Sequence, residues 1–365
     1  MRKGWEYKSF ETCINKLPKA KQVKTSEYSS GTKYPIISQE DKLISGYYDD
    51  ESYVFHIDSP VVIFGDHTRV LKYVDFDFVV GADGVKIISP QKELNAKFLL
   101  YYLQWYKIPN LGYSRHYKLL KEINIPLPPL STQLAIVSEL DKINELIRLK
   151  KEQLKDFDNL AQSLFYEMFG DPVENEKGWE VKKLKEIATE KLSYGSGVSA
   201  VPFNTSVRYI RITDINEYGE LKDEKVSPNI FEEKYLLAEG DILFARSGAT
   251  VGKTYLHKRN EIPCIYAGYL IRLRPNEKLV LPNYVYYYTK SNYYKSFICA
   301  NQRVVAQPNI NAKQYGDLEL PLPPLPLQRL FAQRIEQIER EKSEVQKSIQ
   351  DLETLLASRM QYWFE

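Results

Sequence analysis

Ile125-Pro-Leu-Pro-Pro-Leu130 recurs 195 residues later as Leu320-Pro-Leu-Pro-Pro-Leu325, and at the same offset Gln133 is matched by Gln328. A second pair of landmarks stands upstream. Lys3-Gly-Trp-Glu-Tyr-Lys8 returns after 174 residues as Lys177-Gly-Trp-Glu-Val-Lys182, so the second unit is longer by 21 residues. Two landmarks repeated in one order make the chain a tandem of two units. Each unit is a globular segment, then Pro-Leu-Pro-Pro, then a long stretch that (past Pro326 in the second copy) lacks Pro and Gly. Proline lacks an amide proton and restricts the residue before it, so the run ends each globular segment and resets the chain direction. A polyproline ligand for an SH3-type groove reads similarly. Its place just ahead of a helical stretch in both copies makes it a structural joint.

Beyond each joint the apolar spacing is helical. Positions 140, 143, 147, 150, 154, 157, 161, 164 and 168 read Leu, Ile, Ile, Lys, Leu, Phe, Ala, Leu, Met. Positions 335, 338, 342, 345, 349, 352, 356, 359 and 363 read Ile, Ile, Lys, Val, Ile, Leu, Leu, Arg, Trp. Only Lys150, Lys342 and Arg359 interrupt these stripes. Narrow stripes of 3–4 spacing predict two long helices that pair as a coiled coil. Thr132 to Met168 alone would span roughly 55 Å at 1.5 Å per residue. The alternative is a helix packed onto its own domain, which so long a stripe outruns. Gly170-Asp171-Pro172 stops the first helix.

The globular segments read as α+β. Val61–Phe64, Asp77–Val80, Arg208–Ile212, Ile242–Phe244 and Tyr269–Leu273 are expected strands, and 94–105 and 283–297 expected helices. The tyrosines from Tyr284 to Tyr294 follow helical spacing and are expected in the core, although stacking on bases is a second use for such rings. The expected domains are 1–130, a helical spacer 131–170, 171–325, and a second spacer 326–365.

The chain's 365 residues carry 43% apolar and 27% charged side chains, which is globular rather than disordered. No apolar run approaches the ~18 residues that cross a bilayer, and the start lacks a secretory h-region. Cys13, Cys264 and Cys299 make an odd, scattered set with no CxxC. These features predict a cytoplasmic protein without a disulfide framework or a cysteine zinc site. Net charge is +2, which excludes a nucleic-acid binder driven by bulk charge alone but not one using local basic loops. Tyr, at 28, far outnumbers Phe, at 15; tyrosine supplies rigid contact area with a polar tip.

Catalytic signatures are scarce. The four histidines show no HExxH or i, i+4 pair, and GxSxG and GxGxxG are absent. Ser247-Gly-Ala-Thr-Val-Gly-Lys-Thr254 lacks the first glycine of a P-loop, and its surroundings read as strand, turn, strand. No acidic or Asn-Pro-Pro-aromatic loop for an amino-methyltransferase is present. The chain is expected to be non-catalytic.

Taken together, the paired joints with Gln133 and Gln328, the twin Gly-Trp-Glu starts, and the stretches Phe64-Gly-Asp-His-Thr-Arg69 and Gly240-Asp-Ile-Leu-Phe-Ala-Arg-Ser-Gly248 resemble the specificity (S) subunit of Type I restriction-modification enzymes. The resemblance covers essentially the whole chain; Pro326-Leu327 in the second joint departs from the commoner pattern. It implies two target recognition domains separated by an antiparallel helix pair, each domain reading half of a bipartite site on double-stranded DNA. It also implies two methyltransferase subunits as partners, with restriction subunits joining through them. S-adenosylmethionine, ATP and Mg would belong to those partners, leaving no cofactor in this chain. Because the two segments differ, the site should be asymmetric, its halves about one helical turn apart. Near-neutral charge suits a protein whose partners share the phosphate grip. Two other readings remain: the recognition module of a fused methylating nuclease, which a chain running only from Met1 to just past the second spacer does not favour, and a coiled-coil scaffold without DNA.

Base reading in the major groove needs Arg or Lys toward guanine and Asn or Gln toward adenine. In the first unit the candidates are His67, Arg69 and Lys72, with Arg115, His116 and Lys118 of the Gly112–Lys118 stretch. In the second they are Arg246, Ser247, Thr250 and Lys253, with Gln302, Arg303, Gln307, Asn309 and Asn311. Gln307-Pro-Asn309 resembles a recurrent family element that would hold the loop or touch phosphate. Gly248 and Gly252 are expected turn formers.

Overall fold

A computed structural model describes residues 4–31, 33–82, 84–112, 114–302 and 309–365. Its helices are α1 (Ala96–Tyr106), α2 (Tyr117–Leu120), α3 (Leu130–Phe169), α4 (Pro282–Tyr288), α5 (Asn292–Gln302), α6 (Ala312–Gly316) and α7 (Leu325–Phe364). The chain forms two compact units, Met1–Glu152 with Gln346–Glu365, and Gln153–Val345. Each unit therefore holds half of α3 and half of α7.

The repeated landmarks turn out to be partners. In the first unit strand Glu6–Ser9 runs antiparallel to Asn124–Leu127, with Glu6 opposite Leu127 and Lys8 opposite Ile125. In the second, Glu180–Lys183 pairs with Glu319–Leu322 in the same register, Glu180 opposite Leu322 and Lys182 opposite Leu320. The start of each globular segment is thus hydrogen-bonded to its end, and Pro126 and Pro321 sit in a two-stranded ribbon where one edge needs no donor.

The matched glutamines close the same joint. Gln133 is fully buried; its Oε1 accepts from Asn95 N at 2.8 Å and its Nε2 donates to Glu93 O and Pro128 O. Gln328 is equally buried; it accepts from Leu281 N at 2.8 Å and donates to Leu279 O and Pro323 O. Gln133 ties the start of α3 to the N-terminus of α1, and Gln328 ties the start of α7 to that of α4, satisfying backbone groups that helix ends leave unpaired. Pro326 lies in the first turn of α7, where its missing amide proton costs no helical bond.

The first unit carries a five-stranded sheet ordered Gln22–Val23, Phe78–Gly81, Tyr34–Ile37, Gly46–Tyr48, with Val54–Phe55 also on Phe78–Gly81. A three-stranded sheet, Leu71–Val74, Val61–Gly65, Val85–Ile88, stands beside α1. Asn95 caps α1, its side chain accepting from Lys97 N and Phe98 N. The second unit centres on a four-stranded sheet, Ser193–Tyr194, Leu270–Leu273, Ile242–Ala245, Thr254–Leu256.

Two expected elements differ. The strand expected over 208–212 ends at Ile210, because the Asp214 carboxylate accepts from Arg211 N and its guanidinium and bends the chain into a short 3-10 turn. The single helix expected over 283–297 is two. Thr289 donates its hydroxyl to Tyr286 O and meets the Thr254 hydroxyl, ending α4, and Ser291 accepts from Tyr294 N to start α5. Tyr284, Tyr287, Tyr288 and Tyr294 are buried, as core tyrosines should be.

α3 and α7 pack antiparallel within each unit. In the first, Glu139 meets Arg359 and Trp363, and Lys151 meets Glu353. In the second, Asp158 meets Lys342 at 2.6 Å, and Phe165 and Phe169 meet Phe331. Two of the charges that interrupt the stripes, Lys342 and Arg359, are therefore ion pairs across the helices. The same stripes also complete each globular core: Ile136 and Leu140 pack with Phe98 and Phe364, and Leu164 and Phe331 with Tyr284 and Leu320. Pairing with the other helix and packing onto the domain are both realised.

Candidate nucleic-acid interface

In the first unit, strand Val61–Gly65 delivers the chain to Asp66, whose side chain is nearly fully buried. Asp66 Oδ1 accepts from Tyr117 N at 2.7 Å, and its carbonyl accepts from His116 N and faces His116 Nδ1, both at 2.9 Å. His116 Nε2 accepts from Leu111 N at 2.9 Å. The two candidate loops, 64–69 and 112–118, are thereby joined. Gln39 supports the first: its Oε1 accepts from His67 N and its carbonyl from the Thr68 hydroxyl.

This network leaves His67, Arg115 and Lys118 exposed on one loop cluster. It corrects the reading of two neighbours. His116 is fully buried with both ring nitrogens engaged, and Lys72 is buried with its ammonium on the carbonyls of Ser38 and Lys42. Burial pushes the Lys72 ammonium down from its usual range. Both hold loops rather than face a groove. Arg69 is half-buried at φ +63° and gives Nη1 to Ile108 O at 3.1 Å, so it is partly committed to the fold.

In the second unit, strand Ile242–Ala245 leads into Arg246 and a short 3-10 turn, Gly248–Thr250, before strand Thr254–Leu256. This is strand, turn, strand, not the strand, loop, helix of a phosphate loop. Arg246 Nε donates to Asn309 Oδ1 at 3.2 Å, Ile310 N donates to Arg246 O, and Ser247 bridges to Asn309. Arg246, Ser247 and Asn309 thus form one cluster. Three others serve the fold. Asn311 caps α6 by accepting from Gln314 N, Thr250 donates to Ser247 O within its turn, and Lys253 reaches Ile215 O. Gln302 is half-buried at the end of α5; Arg303 and Gln307 lie outside the described residues.

Three residues escaped the sequence reading. Gln39 joins Asp66 as a hub of the first cluster. In the second, Tyr194 lies under Arg246, with the guanidinium carbon 4.7 Å from the ring centroid, and Tyr269, 61% exposed, accepts Arg246 N on its carbonyl. A tyrosine beside Gly195 and one beside Gly268 were the available signals.

Among the described residues no group of three His, Cys, Asp or Glu side chains is arranged to hold a metal ion, and no helix is long and apolar enough to cross a membrane.

Two copies of one α+β plan, each carrying a polar loop cluster and each completed by both long helices, define a duplicated two-unit protein. The family pattern described as Type I restriction modification DNA specificity domain matches residues 3–156 and 176–354, and the chain belongs to that family. It is similar to the Type I restriction enzyme MjaVIII specificity subunit of Methanocaldococcus jannaschii, with 25% identity over 66% of this chain and 62% of that one. It is also similar to the StySPI specificity subunit of Salmonella potsdam, with 29% identity over 30% of this chain and 24% of that one. The matched stretch thus spans less than two thirds of either relative. Among solved structures, the S subunit of a Type I restriction-modification system from M. genitalium matches 98% of this chain and 95% of its own, with a TM-score of 0.58 at 17% identity. A chain from a study of complex assembly and conformational transition in the type I R-M system matches with a TM-score of 0.56 at 18% identity. At these identities the likeness is one of fold.

Proposed function

We propose that the chain is the DNA sequence-recognition subunit of a Type I restriction-modification complex, each unit reading one half of an asymmetric bipartite site. The observation that carries this reading is the duplication: the same ribbon, glutamine tie and strand-to-loop exit recur in both units, while the loops presented differ in chemistry. In the first unit the readers are His67, Arg115 and Lys118, with Arg69 in support; in the second they are Arg246, Ser247 and Asn309. The chain binds and positions, and the chemistry resides elsewhere. Two methyltransferase subunits and, through them, restriction subunits supply S-adenosylmethionine, ATP and Mg chemistry in the cytoplasm. A net charge of only +2 fits a subunit whose partners share the grip on phosphate.

The test is co-expression with its methyltransferase in a host lacking adenine methylation, followed by base-resolution methylation mapping. The expected result is a split, asymmetric motif that disappears without this chain. Methylation that is unchanged when the chain is omitted overturns the reading.

A further inference from the structure

We propose that Tyr194 and Asn309 are positioning residues that hold Arg246 as a two-pronged guanine reader in the second unit. The proposal rests on the function proposed above and adds the base read and the device that aims the reader.

Tyr194 is a fixed platform. Its strand, Ser193–Tyr194, pairs with Arg272 and Ile271. The next residue, Gly195, is pressed so closely on the neighbouring backbone that a Cβ there would lie 2.3 Å from Tyr266 O and 2.4 Å from Ala267 O. Ser196 N donates to Tyr266 O, Gly268 N donates to Ser196 O, and the Tyr194 hydroxyl accepts from Ala312 N at 3.0 Å. The ring is held at both ends, and the Arg246 guanidinium lies 4.7 Å over it.

Stacking on an aromatic face restrains the guanidinium plane at little desolvation cost. Asn309 Oδ1 accepts a hydrogen bond from Nε, and the backbone around Arg246 is clamped by Ile310 N and Tyr269 O. The two terminal amines have no acceptor among the described residues. Arg272 and Arg274 of the same unit differ: Arg272 gives its terminal amines to Leu236 O and Glu190, and Arg274 gives Nη2 to Asp241. A planar fork held over a ring and by its Nε, with neither terminal amine bonded to a described residue, is the donor pair that guanine O6 and N7 accept in the major groove. A lysine at 246 would present a single rotating charge instead.

The test uses the full chain with its methyltransferase. Methylation motifs are mapped in cells, and the purified complex is titrated against duplexes carrying every base at each second-half-site position, at two salt concentrations. Arg246→Ala should relax one guanine position by about 10- to 100-fold and leave the first half-site intact. Tyr194→Leu and Asn309→Ala should relax that same position several-fold, Tyr194→Phe should retain it, and Arg246→Ala/Tyr194→Leu should be no worse than Arg246→Ala alone. Even weakening across all sequences, with a shallower salt dependence, would make Arg246 a phosphate clamp and overturn the proposal. An unchanged motif in Arg246→Ala and Tyr194→Leu also overturns it while the proposed function stands. A wild-type complex without sequence preference removes both.

Discussion

Gln133 and Gln328 show how much one buried amide can decide. Each satisfies three backbone groups around a proline joint, and an apolar replacement would leave those groups buried and unpaired, at about 1–3 kcal/mol for each. Gln133→Leu and Gln328→Leu should therefore each lower Tm by several degrees in thermal melts, although neither touches a proposed reading loop. Lys72→Ala and His116→Ala should likewise lower Tm, whereas Arg115→Ala should leave Tm unchanged and alter the methylation motif. An unchanged Tm in His116→Ala would return that residue to the reading surface. The clusters themselves were visible in the sequence as short runs of Arg, His and Asn near glycine. Which members face water was not visible, because the deciding partners are distant: His116 meets Asp66 across 50 residues, and Arg246 meets Asn309 across 63. Local composition carries no record of such pairings.

At the scale of the element, the helix stripes were legible because a 3.6-residue period is a local property. Phe331 lies edge-on to Phe165, Phe169 and Tyr287. Phe331→Ala should cost about 3–5 kcal/mol, read as a lower midpoint in chemical denaturation, because so crowded a site cannot collapse to fill the void. The ion pairs act differently. Hydrogen bonding from Arg359 and Trp363 holds the Glu139 carboxyl below its usual range, against a smaller opposing effect of burial. A carboxylate with a depressed folded-state pKa binds protons more readily when unfolded, so its contribution is present above about pH 4.5 and fades as pH falls through the folded value. The stability difference between wild type and Glu139→Gln should therefore narrow between pH 5 and pH 3; a constant difference would mean that the pair contributes through packing alone. At Glu339 burial pushes the carboxyl up, yet Lys258, Lys342 and Tyr287 together outweigh it, and the carboxyl titrates low. The break between α4 and α5 was not legible, since it depends on Thr289 finding the Thr254 hydroxyl 35 residues away.

For the whole molecule, each long helix passes from one unit into the other, so any residue removed from both is removed from the chain that links the two units. Deleting seven residues from the middle of α3 and the seven opposite them in α7 preserves the stripe and removes about 10 Å of helix. The methylated motif should then keep both halves and lose about three base pairs of the gap, at 3.4 Å per base pair. A gap of unchanged length would separate the helices from the spacing of the site. The duplication, the α+β class, the paired joints and the two helices follow from the order of residues, because each is written in local periodicity, in proline and glycine chemistry, or in a repeat. Folding alone bonds the repeated landmarks to each other, sets the stripes against both the partner helix and the domain core, and rests Arg246 on Tyr194. Those outcomes depend on which distant groups the folded chain brings within hydrogen-bonding and van der Waals range, and the order of residues along the chain does not list them.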